Sequence, residues 1–250
     1  MPDAIASALQ TPELIWLIMA ISAAGLVRGF TGFGTALIFV PVAGQYLPPA
    51  DVILLMACTG MVSNMAILPK AWGTADRREV GALVLAAVVT IPFGIWVMSY
   101  LDTLTIRWIV AVVAGTTLVA VIAGWRWHGD LKQRGRMLIG GAAGLVGGMT
   151  GLTGPVVIMF YLANARSVLA VRSNTILFLA ALDILLLINL LFGGFSNPQM
   201  IWTAGVLAIP YVTTTLIGQA LFDPTKEGAY RIVAYSVIGL AVISGIPILD

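Results

Sequence analysis

Charge is scarce in this chain. Only 10% of its 250 residues are Asp, Glu, Lys or Arg, and 60% are hydrophobic. Soluble domains carry about 25% charged residues and about 45–50% apolar ones. A soluble enzyme of this length could not cover its core with so little polar surface, so a polytopic membrane protein is the expected class. Cysteine is nearly absent. Cys58 is the single one and lies in an apolar run, which excludes an intrachain disulfide. Histidine is equally rare, with His128 alone, in a basic stretch. A catalytic metal needs several ligands and a serine nucleophile needs a nearby base. His128 and Cys58 supply neither, which argues against an intramembrane enzyme and against any metal or cofactor. The net charge of +2 is too small to point to nucleic acid. A basic leader is missing too: residues 1–14 carry Asp3 and Glu13 but no Lys or Arg, so they read as a retained segment.

Long apolar runs are what the chain does have. They fall at about 14–47, 51–69, 80–100, 106–125, 137–163, 174–192, 200–221 and 231–249. Runs 51–69 and 200–221 read as full helices. Two runs differ. Run 14–47 is interrupted at Gly25, Gly29, Gly32 and Gly34, and run 137–163 at Gly144, Gly147, Gly148, Gly151 and Gly154-Pro155. Paired Gly/Pro-interrupted segments in corresponding places are a sequence pointer to a transporter binding site.

The two interrupted segments are copies of one another. At an offset of 119, Ala24–Gly32 matches Ala143–Gly151 at seven of nine positions. The relationship continues weakly, with Asn64 opposite Asp183 and Pro92 near Pro210. The chain thus reads as a single transmembrane domain, 1–250. Repeat one is 14–125, a basic cytoplasmic linker is 126–136 and repeat two is 137–249. Loop charges decide the orientation. If each interrupted segment crosses once, seven Lys/Arg lie inside and five outside. If each goes in and returns to its own side, eleven lie inside, Arg107 lies outside and Arg28 is buried in the membrane. The second arrangement is favoured. It makes the halves inverted repeats, each an interrupted or re-entrant first segment followed by three transmembrane helices. Both termini are then outside. Trp16, Trp72, Trp108, Trp125, Trp127 and Trp202 lie near span ends, as an aromatic belt should.

The stretch Arg28-Gly-Phe-Thr-Gly-Phe-Gly34, followed by Pro41, resembles the glycine motif of the TauE/SafE family, and so does Gly148-Met-Thr-Gly-Leu-Thr-Gly-Pro155. This is the sulfite exporter group, also called the toluene sulfonate uptake permease family. The repeat, the basic linker and the length resemble it as well, over nearly the whole chain. The resemblance implies a multi-pass transporter of the plasma membrane, mostly an exporter, for sulfite, sulfoacetate or other small organosulfonates.

The residues themselves fit such a ligand. Glycines let the backbone approach it closely, and a break between half-helices exposes N–H groups that attract anions. The expected substrate-binding set is Arg28, Gly29, Thr31, Gly32, Gly34 and Asn64 in the first half. In the second it is Gly148, Thr150, Gly151, Thr153 and Gly154. Arg28 stands as the membrane-depth cation, and its guanidinium fork suits a sulfonate as it suits phosphate. The competing readings are close helix packing for the glycines and a structural ion pair for Arg28. Asp183 lies in mid-helix, where a carboxylate must hold a proton or pair with a cation. It is the expected proton-coupling residue; a partnership with Arg28 or an interhelical hydrogen bond are the alternatives. Expected partners are the bilayer and a small anionic substrate. A homo-oligomer is compatible with this reading, and so is a passive anion channel.

Overall fold

The computed structural model describes residues 8–11, 13–124, 133–162, 168–221, 223 and 227–249. The described residues contain helices and no strand. Most of the basic linker, Trp125, Trp127, His128, Arg166 and Lys226 lie outside them. The first five helices are α1 Leu14–Thr31, α2 Thr35–Ala43, α3 Pro49–Thr74, α4 Arg77–Tyr100 and α5 Thr103–Ile122. The next five are α6 Gln133–Thr150, α7 Gly154–Leu162, α8 Val168–Phe192, α9 Pro198–Leu221 and α10 Glu227–Ser244. Their lengths run 18, 9, 26, 24 and 20 residues, then 18, 9, 25, 24 and 18.

The start signals are local. Asp76 accepts from the Arg78 and Glu79 N–H groups to begin α4, and Asp102 accepts from the Thr105 N–H to begin α5. Among the described residues, α1, α4, α5, most of α8 and α9 are long and apolar enough to span a bilayer; 49–65 and 228–244 are shorter apolar stretches. Large apolar side chains cover the outside, among them Leu85, Val89, Phe93 and Trp96 on α4 and Ile232 and Leu240 on α10. Water would not tolerate so continuous an apolar surface, whereas lipid does. Trp16, Trp72, Trp108 and Trp202 are exposed near helix ends, at the level of an interfacial belt. The protein is a multi-pass, all-helical membrane protein.

Cross-chain hydrogen bonds fix which helix ends share a face. The Thr11 hydroxyl meets that of Thr203 at 2.8 Å, so α1 and α9 begin together. Asn197, just before α9, donates to Asp51 of α3 at 3.2 Å. The chain therefore goes in along α1 and returns along α2 to the same face before α3 begins. On the opposite face Thr74 and Ser173 hydroxyls meet at 2.6 Å, and the Asp76 N–H donates to Asn174 at 2.7 Å. Arg136 of α6 pairs with Glu79 there at 3.5 Å. So α6 and α8 both begin on that second face, and α6–α7 also goes in and returns. At about 1.5 Å per residue, 18 residues reach about 27 Å and nine about 14 Å, so each pair is one long and one half-length helix.

The main helix contacts exchange partners between the two sets. α4 packs along α6 and α9 along α1, while α3 packs against α8. Glycines permit the first two. A Cβ on Gly29 would lie 2.6 Å from the Thr215 carbonyl, one on Gly218 2.5 Å from the Leu26 carbonyl, and one on Gly148 2.6 Å from the Ile91 carbonyl. Backbones this close gain dispersion that no larger side chain permits in lipid. By contrast, Gly205 on α9 has open space around it. Gly218→Ala should cost about 1–3 kcal/mol by overpacking and lower the melting midpoint in detergent, whereas Gly205→Ala leaves it unchanged or raised.

Candidate functional site

The site grows from the two helix breaks, which share three hydrogen bonds at equivalent positions. In the first, the Gly32 N–H donates to the Arg28 carbonyl at 2.7 Å; in the second, the Gly151 N–H donates to that of Gly147 at 2.8 Å. The Thr31 hydroxyl donates to the Val27 carbonyl at 2.9 Å and accepts from the Phe33 N–H. The Thr150 hydroxyl donates to the Val146 carbonyl at 2.7 Å and accepts from the Leu152 N–H. Gly32 and Gly151 take φ of 81° and 79°, a left-handed turn that glycine adopts without Cβ strain. Beyond each turn a nine-residue helix starts inside the protein, with Thr35 at the start of α2 and Gly154 at the start of α7 both buried. The first N–H groups of such a half-helix have no carbonyl in their own helix, and its dipole favours a negative charge there.

Arg28 lies in the last turn of α1 and is 6% exposed. Its Nη2 donates to Asn64 Oδ1 at 2.7 Å, and Asn64 Nδ2 donates to Asp183 Oδ2 at 2.9 Å. Asn64 is 2% and Asp183 7% exposed. The amide suits its place because it accepts at one end and donates at the other. Arg28 and Asp183 are thus linked through Asn64. Gly60, one turn before Asn64 on α3, leaves the space that the Asp183 carboxylate fills. Tyr211 of α9 completes the surroundings: its ring centroid is 6.0 Å from the guanidinium carbon of Arg28. Its hydroxyl meets that of Thr35 at 2.9 Å. One contact chain therefore joins α1, α2, α3, α8 and α9.

The expected site residues divide into groups. Arg28, Asn64 and Asp183 come together. Gly32, Gly34 and Gly151 form the turns, with Gly34 at φ 98°. Gly29 and Gly148 lie in the α1–α9 and α4–α6 contacts. Thr31 and Thr150 bond to the backbone of their own breaks. Thr153 fills the space beside Gly147, where a Cβ would lie 2.8 Å from its methyl group. That is why the residue opposite Arg28 in the repeat is glycine. Gly60 and Tyr211 are additions. Gly60 was visible as a small residue four before Asn64, hence on the same face; Tyr211 carried no sequence signal.

Removing one member of a buried charged network leaves the other uncompensated, at about 3–5 kcal/mol. Asp183→Leu and Arg28→Leu should each lower the unfolding midpoint strongly. The double variant should lose less than the sum, with a coupling of about 0.5–3 kcal/mol in a double-mutant cycle. Strict additivity would show that Asn64 does not couple them.

Comparison with known proteins agrees with the geometry. The model of the sulfite exporter TauE/SafE family matches residues 17–245. The probable sulfite/organosulfonate exporter TauE of Cupriavidus necator is 23% identical over 234 residues, 90% of each chain. No solved structure matches the chain. With paired helix breaks inside an all-helical membrane protein and a family match over nearly its whole length, the chain belongs to the sulfite exporter TauE/SafE family.

Proposed function

We propose that the protein exports a small sulfur oxoanion, sulfite or an organosulfonate, across the plasma membrane by alternating access. The observation that carries this reading is Arg28. It is a buried cation over the ring of Tyr211, whose hydroxyl meets Thr35 at the start of half-helix α2, so Tyr211 connects a guanidinium fork to an internal helix N-terminus. Both favour an anion with several acceptor oxygens. The naming of the Cupriavidus relative as a probable sulfite/organosulfonate exporter supports the substrate class.

Alternating access rests on an inverted repeat of 14–125 and 137–249. Three observations support that repeat. The helix lengths recur in order, the two breaks share their hydrogen bonds at an offset of 119, and α3 and α8 cross antiparallel. Two equivalent helices that run antiparallel across their own contact are related by a two-fold axis perpendicular to them, hence within the membrane plane. Among the described residues, Arg77, Arg78, Arg134, Arg136 and Arg231 belong to helix starts on one face and Arg107 to the other, which supports a cytoplasmic first face.

Flux of labelled sulfite and sulfoacetate into proteoliposomes tests the reading. Wild type should show saturation and counterflow. Arg28→Gln should lose at least about tenfold of the flux, as loss of a charge-assisted contact of about 1.5–3 kcal/mol requires, with Arg28→Lys partly active. Neither anion moving, or Arg28→Gln moving it normally, overturns the reading, and flux without saturation or counterflow favours a channel.

Asp183 is the proposed proton carrier, since it is a buried carboxylate tied to Arg28 through one amide. Protonation of Asp183 would remove the carboxylate that competes with the anionic substrate for Arg28, so proton and substrate would bind together. Asp183→Asn should then retain downhill flux yet lose its dependence on an imposed pH gradient. Unchanged dependence in that variant assigns coupling to another group.

A further inference from the structure

Four arginines stand where α4 and α6 begin: Arg77 and Arg78 on α4, Arg134 and Arg136 on α6. The two helices run parallel in one register. Gly140 lies against Leu83, Gly144 against Ala87 and Gly148 against Ile91, always at the same spacing along the chain. The Arg136–Glu79 ion pair continues that spacing. Two residues earlier, the same register sets Arg134 level with Arg77, and Arg78 lies one residue, about 1.5 Å, deeper. Trp72 at the end of α3 fixes their height. It is exposed, and its ring centroid is 5.5 Å from the guanidinium carbon of Arg77. These cations therefore stand at the level where tryptophan meets lipid headgroups.

The acids nearby are already engaged. Asp76 caps α4 by accepting from the Arg78 and Glu79 N–H groups. Glu79 is buried, pairs with Arg136 and accepts from Asn174 at 3.3 Å. Among the described residues no carboxylate pairs with Arg77, Arg78 or Arg134, and all three are exposed. Farther into the membrane the same surface suits hydrocarbon. Arg78 is seven, eleven and eighteen residues before Leu85, Val89 and Trp96, hence on their face of α4. All three of those side chains are exposed. Arg134 is one turn before Leu138 on α6, which is exposed as well. Between the two rows the seam of α4 and α6 is shallow, because it is lined by Ala86 and Gly141. A Cβ on Gly141 would lie 4.0 Å from that of Ala86.

We propose that the start of the α4–α6 pair is a binding site for an anionic phospholipid. Arg78 and Arg134 donate to its phosphodiester, and one acyl chain lies along the Ala86–Gly141 seam between Leu85 and Leu138. Guanidinium forks match phosphate oxygens in charge and geometry. A basic site between two membrane helices at headgroup level is where such a lipid is held. Sidedness alone would be served by arginines scattered over this face. Here three of them share one height above one seam, and their charge is not spent on carboxylates. A lipid in this place clamps the ends of the two helices together. The site is independent of what the protein transports.

Native mass spectrometry of the full-length protein in detergent tests the site. The protein is titrated with phosphatidylglycerol and with phosphatidylethanolamine of the same acyl chains. Wild type should hold phosphatidylglycerol in preference. Arg78→Gln and Arg134→Gln should each weaken phosphatidylglycerol about fivefold, the share of one arginine near a lipid surface, and leave phosphatidylethanolamine unchanged. Arg231→Gln, at the start of α10 on the same face, should leave both lipids unchanged. An equal loss in Arg231→Gln assigns the preference to surface charge in general and overturns a defined site. No preference in wild type, or unchanged affinity in both Arg78→Gln and Arg134→Gln, overturns it too. Glycerophosphoglycerol, the same headgroup without chains, should not displace the bound lipid at equal concentration. Equal displacement makes the ligand a free phosphodiester and overturns the lipid assignment. Arg78 and Arg134 are exposed, so the lipid-free melting midpoints of their variants should match wild type. The rise in midpoint that phosphatidylglycerol gives wild type should be lost in both, and a rise kept in both overturns the clamp. None of these readouts measures flux, so the exporter reading is tested apart from them.

Discussion

A single amide at the crossing of α3 and α8 organises the interior. Asn64 accepts from Arg28 and donates to Asp183, joining a guanidinium to a carboxylate where no lipid or helix backbone could satisfy either. Charge at membrane depth is costly unless paired, and a buried pair is stable only when its geometry satisfies the remaining donors and acceptors. That requirement fixes the antiparallel register of α3 on α8 at 64 and 183, with 74 and 173 meeting one end farther along. It also explains Gly60, since any Cβ there would occupy the position of the Asp183 carboxylate. Tyr211 extends the chain to α9 and α2, so the cluster ties five helices together.

Glycine serves two different purposes around this cluster. At positions 32 and 151 it ends a long helix with a left-handed turn and frees the start of a half-helix. Such irregular backbone survives at membrane depth because it is buried in protein, with its N–H and carbonyl groups tied by Thr31 and Thr150. At 29, 148 and 218 it brings helix backbones together. The two roles depend on each other: the close α1–α9 and α4–α6 contacts hold the long arms rigid, so the turns present their half-helices at defined places.

The two faces are tied by different chemistry. Thr74, Asp76, Glu79, Arg136, Ser173 and Asn174 join α3, α4, α6 and α8 at one end. Asp51, Asn197, Thr11 and Thr203 join α3, α9 and the segment before α1 at the other. The first set includes the ion pair between Arg136 and Glu79.

Much of this was legible in the amino acids. Scarce charge set the membrane class, and the copied glycine segments marked both breaks. Arg28, Asn64 and Asp183 stood out because polar groups in long apolar runs have few explanations. The individual glycines were not legible in the same way. Their spacing is alike whether they turn the chain, as Gly32 and Gly151 do, or press helices together, as Gly29 and Gly148 do. Composition and periodicity register what a residue is and how often it recurs. The tertiary structure decided the rest: that one amide bridges Arg28 to Asp183, that Gly60 makes room for it and that Tyr211 flanks it. Those facts depend on which helices cross and at what height, and a crossing is set by packing between segments more than a hundred residues apart.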